Sequence, residues 1–134
     1  MKFFRSVASA VLVASSLVGL HSAHAQQQPG FGRSDVLQHD LGNDGREVIQ
    51  TRVEFAHGAV SPRHSHPGEE IAYVLEGTLE YHIEGQSPVT LKAGEALFIP
   101  AGAKHVAKNV GTGKASELAT YLVSKGTPLL VIAK

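Results

Sequence analysis

Between Ser34 and Ala133 the chain breaks into seven to nine short runs at regular spacing, separated by Gly-, Pro- and Asn-bearing turns, and none carries a convincing helical period. That pattern predicts an all-β sandwich or barrel. Glu47 to Phe55 alternates, with Ile49, Thr51, Val53 and Phe55 facing one way and Gln50, Arg52 and Glu54 the other, as in a half-buried strand. Thr78 to Ile83 does the same, with Leu79, Tyr81 and Ile83 opposed to Glu80 and His82. Glu70 to Leu75 is apolar on both faces, Ile71, Tyr73 and Leu75 against Ala72 and Val74, which predicts a wall covered twice. Further strands are expected at Val89 to Leu91, Ala96 to Ile99, His105 to Val110, Leu118 to Val123 and Leu129 to Ala133. Ser34 to Leu41 fits an edge strand or a segment lying along the sheet. Taken alone, the pattern does not separate a jelly roll from an immunoglobulin-like sandwich.

Chemistry concentrates in the stretch Gly58 to Gly77, GAVSPRHSHPGEEIAYVLEG. His64 and His66 stand at i and i+2, so in an extended strand both imidazoles leave the same face. Pro67 and Gly68 break the strand, and a carboxylate returns at Glu70. Imidazole and carboxylate together suit iron, manganese, nickel, copper or zinc. The His-x-His pair by itself fits equally well a surface strand with two solvated histidines. A second stretch, GEALFIPAGAKHVAKN from Gly94 to Asn109, adds His105 just after a Pro100-x-Gly102 turn.

The first stretch reads G-x5-H-x-H-x3-E-x6-G and the second G-x5-P-x-G-x2-H-x3-N, with Gly58, His64, His66, Glu70, Gly77, Gly94, Pro100, Gly102, His105 and Asn109 at the fixed positions. These resemble the two motifs of the cupin superfamily, and all ten defining positions match. The resemblance spans Gly58 to Asn109. It implies the small single-domain type, similar to quercetin-dioxygenase-like cupins, folded as a double-stranded β-helix, the jelly-roll cupin barrel. It implies that His64, His66, Glu70 and His105 hold one divalent transition metal ion, of the iron, manganese, nickel, zinc or copper series. The family spacing selects Glu70 over Glu69, which would point the opposite way in an unbroken strand. Resemblance to flavonol-cleaving cupins further gives Glu70 a catalytic role, releasing the metal to act as a base. Small cupins also pair, so a homodimer is expected.

Other residues have plainer readings. Gly58, Gly77, Gly94 and Gly102 suit turns of positive φ, and Asn109 suits a buried hydrogen-bonding position. His57 is expected at an exposed turn, and His39 and His82 at the surface. Tyr73, Tyr81, Phe98 and Tyr121 are candidates for lining the pocket, though core packing accounts for each one alone.

The start of the chain reads as a signal peptide over residues 1–25. Lys2 and Arg5 precede an apolar run from Val7 to Leu20, and Ala23-His24-Ala25 offers the small residues of a cleavage site. The run is short for a bilayer span. Cleavage between Ala25 and Gln26 would give a periplasmic or secreted protein with no membrane contact, made of an N-terminal arm over residues 26–46, beginning as a polar lead-in, and a cupin domain over 47–134. The 12 basic and 12 acidic residues become 10 and 12 once Lys2 and Arg5 leave. A chain so balanced, without a basic cluster, gives no reason to expect nucleic acid as a partner. Without cysteine it forms no disulfide and no thiolate-bound metal.

Four protein ligands on an octahedral ion leave two positions open. A 2-oxo-acid cosubstrate with O2 needs three, so direct binding of a small oxygenated substrate fits better. Outside the cytosol, reduced nicotinamide is not at hand. The sequence therefore points to dioxygenase-like or redox-neutral isomerase or cyclase chemistry on a small molecule. The alternative is a non-catalytic cupin that captures a metal or a small ligand.

Overall fold

The structure, a computed structural model, describes residues Pro29 to Lys134; the expected signal segment 1–25, its cleavage point and Gln26 to Gln28 lie outside the described residues. Ten strands follow the turn signals: β1 (Phe31–Leu41), β2 (Arg46–Phe55), β3 (His64–Ser65), β4 (Glu69–Glu76), β5 (Thr78–Ile83), β6 (Val89–Lys92), β7 (Ala96–Ile99), β8 (His105–Asn109), β9 (Ala115–Ser124) and β10 (Val131–Ile132). They form two five-stranded antiparallel sheets, ordered β1-β2-β9-β4-β7 and β10-β3-β8-β5-β6. This is the all-β jelly roll, and the described residues contain no helix.

Alternation explains which side chains fill the space between the sheets. Thr51, Val53 and Phe55 of β2 and Leu79, Tyr81 and Ile83 of β5 are buried, as their phase predicts. Ala72 and Val74 of β4 and Ala119, Tyr121 and Val123 of β9 complete the wall. Asn109 is buried as expected: its amide Nδ2 donates to the carbonyls of Ala56 (3.0 Å) and Gly113 (2.8 Å), and its Oδ1 accepts from Gly111 N–H (3.0 Å). It thus ties the end of β8 to two loops.

Several boundaries move. The segment from Phe31 is a full edge strand paired along β2, so the polar lead-in ends earlier than its composition suggests. β9 begins at Ala115 rather than Leu118, and the last strand shrinks to Val131–Ile132. β4 is covered on one face only: Ile71, Tyr73 and Leu75 lie exposed on the other.

The turn that brings Glu70 back beside His66 depends on a close approach. A Cβ on Gly68 would lie 2.0 Å from the Leu122 carbonyl oxygen and 2.9 Å from Val123 Cγ1. Gly68→Ala should therefore push β4 away from β9, at a cost of about 1–3 kcal/mol. Thermal unfolding followed by circular dichroism should place its midpoint several degrees below wild type. Gly113→Ala, where nothing lies within 4 Å, should melt like wild type.

Candidate metal centre

Three histidines from one sheet meet a carboxylate from the other. His64 opens β3 and pairs across to His105, which opens β8, while His66 follows directly after β3. All three are buried, and their ring centroids stand 4.8 Å (His64–His66), 4.2 Å (His64–His105) and 5.3 Å (His66–His105) apart. One ring nitrogen from each lies within 4.8 Å of the others.

The backbone fixes how these rings face. His64 Nδ1–H donates to the Pro62 carbonyl (2.7 Å), His66 Nδ1–H to Leu129 (2.7 Å) and His105 Nδ1–H to Ala103 (2.9 Å). A carbonyl only accepts, so the proton of each neutral ring sits on Nδ1 and Nε2 keeps its lone pair. Such outer hydrogen bonds are the usual way a metal-ligating imidazole is oriented.

Glu70, buried on β4, aims Oε2 at two of these nitrogens, 3.1 Å from His66 Nε2 and 3.3 Å from His105 Nε2. Either a proton or a cation must stand between lone pairs so placed. Yet His66 Nε2 and Glu70 Oε2 have no hydrogen-bond partner, which favours the cation. Neighbouring ligands about 2.1 Å from one ion stand about 3.0 Å apart at right angles, close to the separations of Glu70 Oε2 from His66 and His105. The three histidines form a site for a divalent metal ion, and Glu70 is placed to be its fourth ligand.

The electrostatics of His64 and Glu70 agree with that use. Burial, reinforced by His105, lowers the His64 pKa to about 4, so the ring stays neutral. Burial alone would raise Glu70, but the close approach of the His105 and His66 rings outweighs it and holds the carboxyl at about 2. Glu70 is therefore ionised across the physiological range, better suited to hold a cation than to accept a proton.

Beside the site lies an interior cavity of about 10 Å³, room for one water or ion. Its walls include His64, Glu70 and His105, and also three residues that sequence reasoning did not assign to the site: Arg33, Ser61 and Glu117. Glu117, buried on β9, accepts a hydrogen bond from Tyr81 Oη. Burial and then the charge of Glu70 push its carboxyl up to about 7. The alternation of β9 could have found it, since Glu117 shares the inward phase of Ala119, Tyr121 and Val123. Larger clefts of about 420 and 630 Å³ lie on the outside, around Pro29 and Lys114 and around Arg63 and His82, and neither touches His64, His66 or His105.

Of the four aromatic candidates, Tyr81 and Tyr121 line the cavity, with the Tyr121 ring 4.5 Å from that of His66. Tyr73 and Phe98 are on the outer face of their sheet and exposed, because their strands turn Ala72, Val74 and Ile99 inward instead. His57, His39 and His82 are exposed, and Glu69 turns away to Arg46 (3.3 Å).

Comparison with known proteins places this geometry. A cupin domain matches residues 51–121. Germin-like protein subfamily 2 member 2 of Arabidopsis thaliana is 37% identical over 79 residues, covering 55% of this chain and 36% of the relative. Oxalate oxidase GF-2.8 of Triticum aestivum is 35% identical over 82 residues, covering 55% and 37%. The chain thus spans little more than a third of the length of these relatives. The crystal structure of the DMSP lyase DddQ from Ruegeria pomeroyi DSS-3 superposes with a TM-score of 0.65 at 25% identity, over 78% of this chain and 52% of that one. With the matched domain covering more than half of its length and a buried three-histidine site inside the barrel, the chain belongs to the cupin superfamily as a metal-dependent member.

Proposed function

We propose that this cupin is an enzyme acting on a small oxygenated organic molecule at a three-histidine, one-glutamate centre, by dioxygenase-like or redox-neutral chemistry. The observation that carries the reading is the cluster of three Nε2 lone pairs, each fixed by an Nδ1–H bond to backbone, with a buried Glu70 oxygen that lacks a hydrogen-bond partner beside two of them. A bound divalent ion would act there as a Lewis acid that polarises a carbonyl or stabilises an enolate. The protein's own part is to orient the donors and exclude water. Burial holds His64 neutral, backbone hydrogen bonds aim His64, His66 and His105 inward, Glu70 supplies the balancing negative charge, and Tyr81 and Tyr121 wall off solvent. Glu117, with its carboxyl raised to about 7, is placed to hold or pass a proton within the same cavity. The names of two relatives fall on either side of the chemical choice, an oxidase and a lyase.

Elemental analysis of the purified protein, followed by O2-uptake assays on small diols, enols and hydroxy acids, tests the reading. Redox-active iron or manganese with O2 uptake supports the oxidative form. Conversion without O2 supports the redox-neutral form. A second reading, a non-catalytic binder, draws support from the smallness of the cavity, about 10 Å³. Tightly held zinc with no turnover would establish it.

We also propose that the protein is exported and works in the periplasm or outside the cell as a homodimer. Ala23 and Ala25 suit the small pockets of a signal peptidase. The intact mass of the exported protein should correspond to a chain beginning at Gln26; a mass retaining residues 1–25 would refute this.

A further inference from the structure

Four arginines fall among the described residues, and three of them behave as surface arginines do. Arg46 pairs with Glu69 (3.3 Å), Arg52 with Glu54 (3.4 Å) and Arg63 with Glu84 (3.2 Å). Arg33 does not. It lies on β1 opposite Val53, which is buried, and Val53 in turn lies opposite Glu117 on β9. Partners across adjacent strands share a face, so Arg33 is sent inward with them.

Its side chain is half-buried and lines the cavity beside the histidines. It reaches past the row that carries the small side chains of Thr51 and Ala119 to Tyr121. There one Nη–H donates to Tyr121 Oη (3.1 Å), and the guanidinium carbon stands 5.7 Å from the ring centroid. The other side of the wall is close, since the same Tyr121 ring packs against His66. A guanidinium carries five N–H donors, and this one uses a single hydrogen bond to a side chain.

We infer that Arg33 is the anchor for a substrate carboxylate, and that this cupin takes a small acid bearing a second oxygen, such as a 2-hydroxy or 2-oxo acid, held between the guanidinium and the metal centre. The inference rests on the proposed metal centre and adds to it the class of ligand. A planar fork of donors matches a carboxylate in a way that no neutral diol can use. Besides Glu70, the carboxyl lining the cavity is Glu117, whose side chain is engaged by the Tyr81 hydroxyl, while the one side-chain hydrogen bond of Arg33 goes to Tyr121. Admission of the acid requires room beyond the present cavity. Arg33 sits on an edge strand and is held at the cavity by one side-chain hydrogen bond and a face contact, so its displacement would supply that room.

Calorimetric titration of the metal-loaded protein with glycolate, lactate and ethylene glycol tests this without reference to turnover. Glycolate and lactate should bind, and ethylene glycol, which lacks the carboxylate, should not. Arg33→Met should weaken glycolate at least tenfold with metal content unchanged, and Arg33→Lys should recover part of the loss by restoring the charge without the fork. Wild-type affinity for glycolate in Arg33→Met overturns the inference, as does metal-loaded wild type that binds neither acid. A wild-type protein that holds no metal would instead sink the metal centre itself, and elemental analysis of the same samples separates the two failures.

Discussion

His64→Ala and His105→Ala should each leave the protein without a stoichiometric metal ion, while His57→Ala and His39→Ala keep it. Each of the first two removes one of three inward imidazoles whose Nδ1–H is already committed to backbone, Pro62 for His64 and Ala103 for His105. The remaining set then lacks a nitrogen, and no other histidine is near enough to replace it: the described cluster contains His64, His66 and His105 alone. Removing an outer-shell partner of a metal ligand already costs about 10–100-fold in affinity, so removing a ligand should cost more and empty the site on dialysis. His57 differs in kind. It is exposed, and its Nδ1 bonds the Gly111 carbonyl (2.9 Å) away from the cavity. Elemental analysis after dialysis, beside circular dichroism to establish that each variant is folded, reads the result. Loss of metal in His57→Ala as complete as in His105→Ala would overturn the assignment. Metal retained in full by His105→Ala would do so as well.

The three-histidine cluster was legible because its spacing is rigid. His64 and His66 at i and i+2, a Pro-Gly break and Glu70 allow few geometries, and the turn at Pro100 and Gly102 delivers His105 to the strand beside His64. The inward phases of β2 and β5 were legible because period-2 alternation survives in a single sequence, whereas the ten strands exceed the seven to nine expected, the two-residue β3 being too short to show a period. What escaped depends on pairing between distant strands. Arg33 reads as one more charge on a short edge segment until its register opposite Val53 is known. Glu117 was missed because apolar content suggested a strand starting at Leu118, one residue too late to include it. Tyr73 and Phe98 show the reverse error. Both are aromatic and near the motifs, but the small Ala72 and Val74 take the inner face of β4, and the large side chains are left outside.

That outer face carries the second large effect, the conversion of a dimer to a monomer by one substitution. Ile71, Tyr73 and Leu75 of β4 are 41%, 42% and 39% exposed, and Phe98 of β7, paired directly opposite Ile71, is 57% exposed. Contiguous apolar side chains of this size on a sheet face call for a cover. Strand β1 does not supply it, because β1 is at one edge of the sheet and β7 at the other, with β2, β9 and β4 between them. We propose that a second copy of the chain covers it: meeting the first about a twofold axis, it would cover both faces at once with the same residues. A standard interface takes about 800 Å² from each partner, so these four side chains form its centre and the polar residues around them its rim. Phe98→Asp places a charge at that centre in both subunits. Light scattering across a micromolar dilution series should give twice the chain mass for wild type and the chain mass for Phe98→Asp. The variant should bind metal as wild type does, because Phe98 points away from the histidines. A wild-type protein of monomeric mass at every concentration would refute the dimer, and a dimeric Phe98→Asp would move the interface to another face.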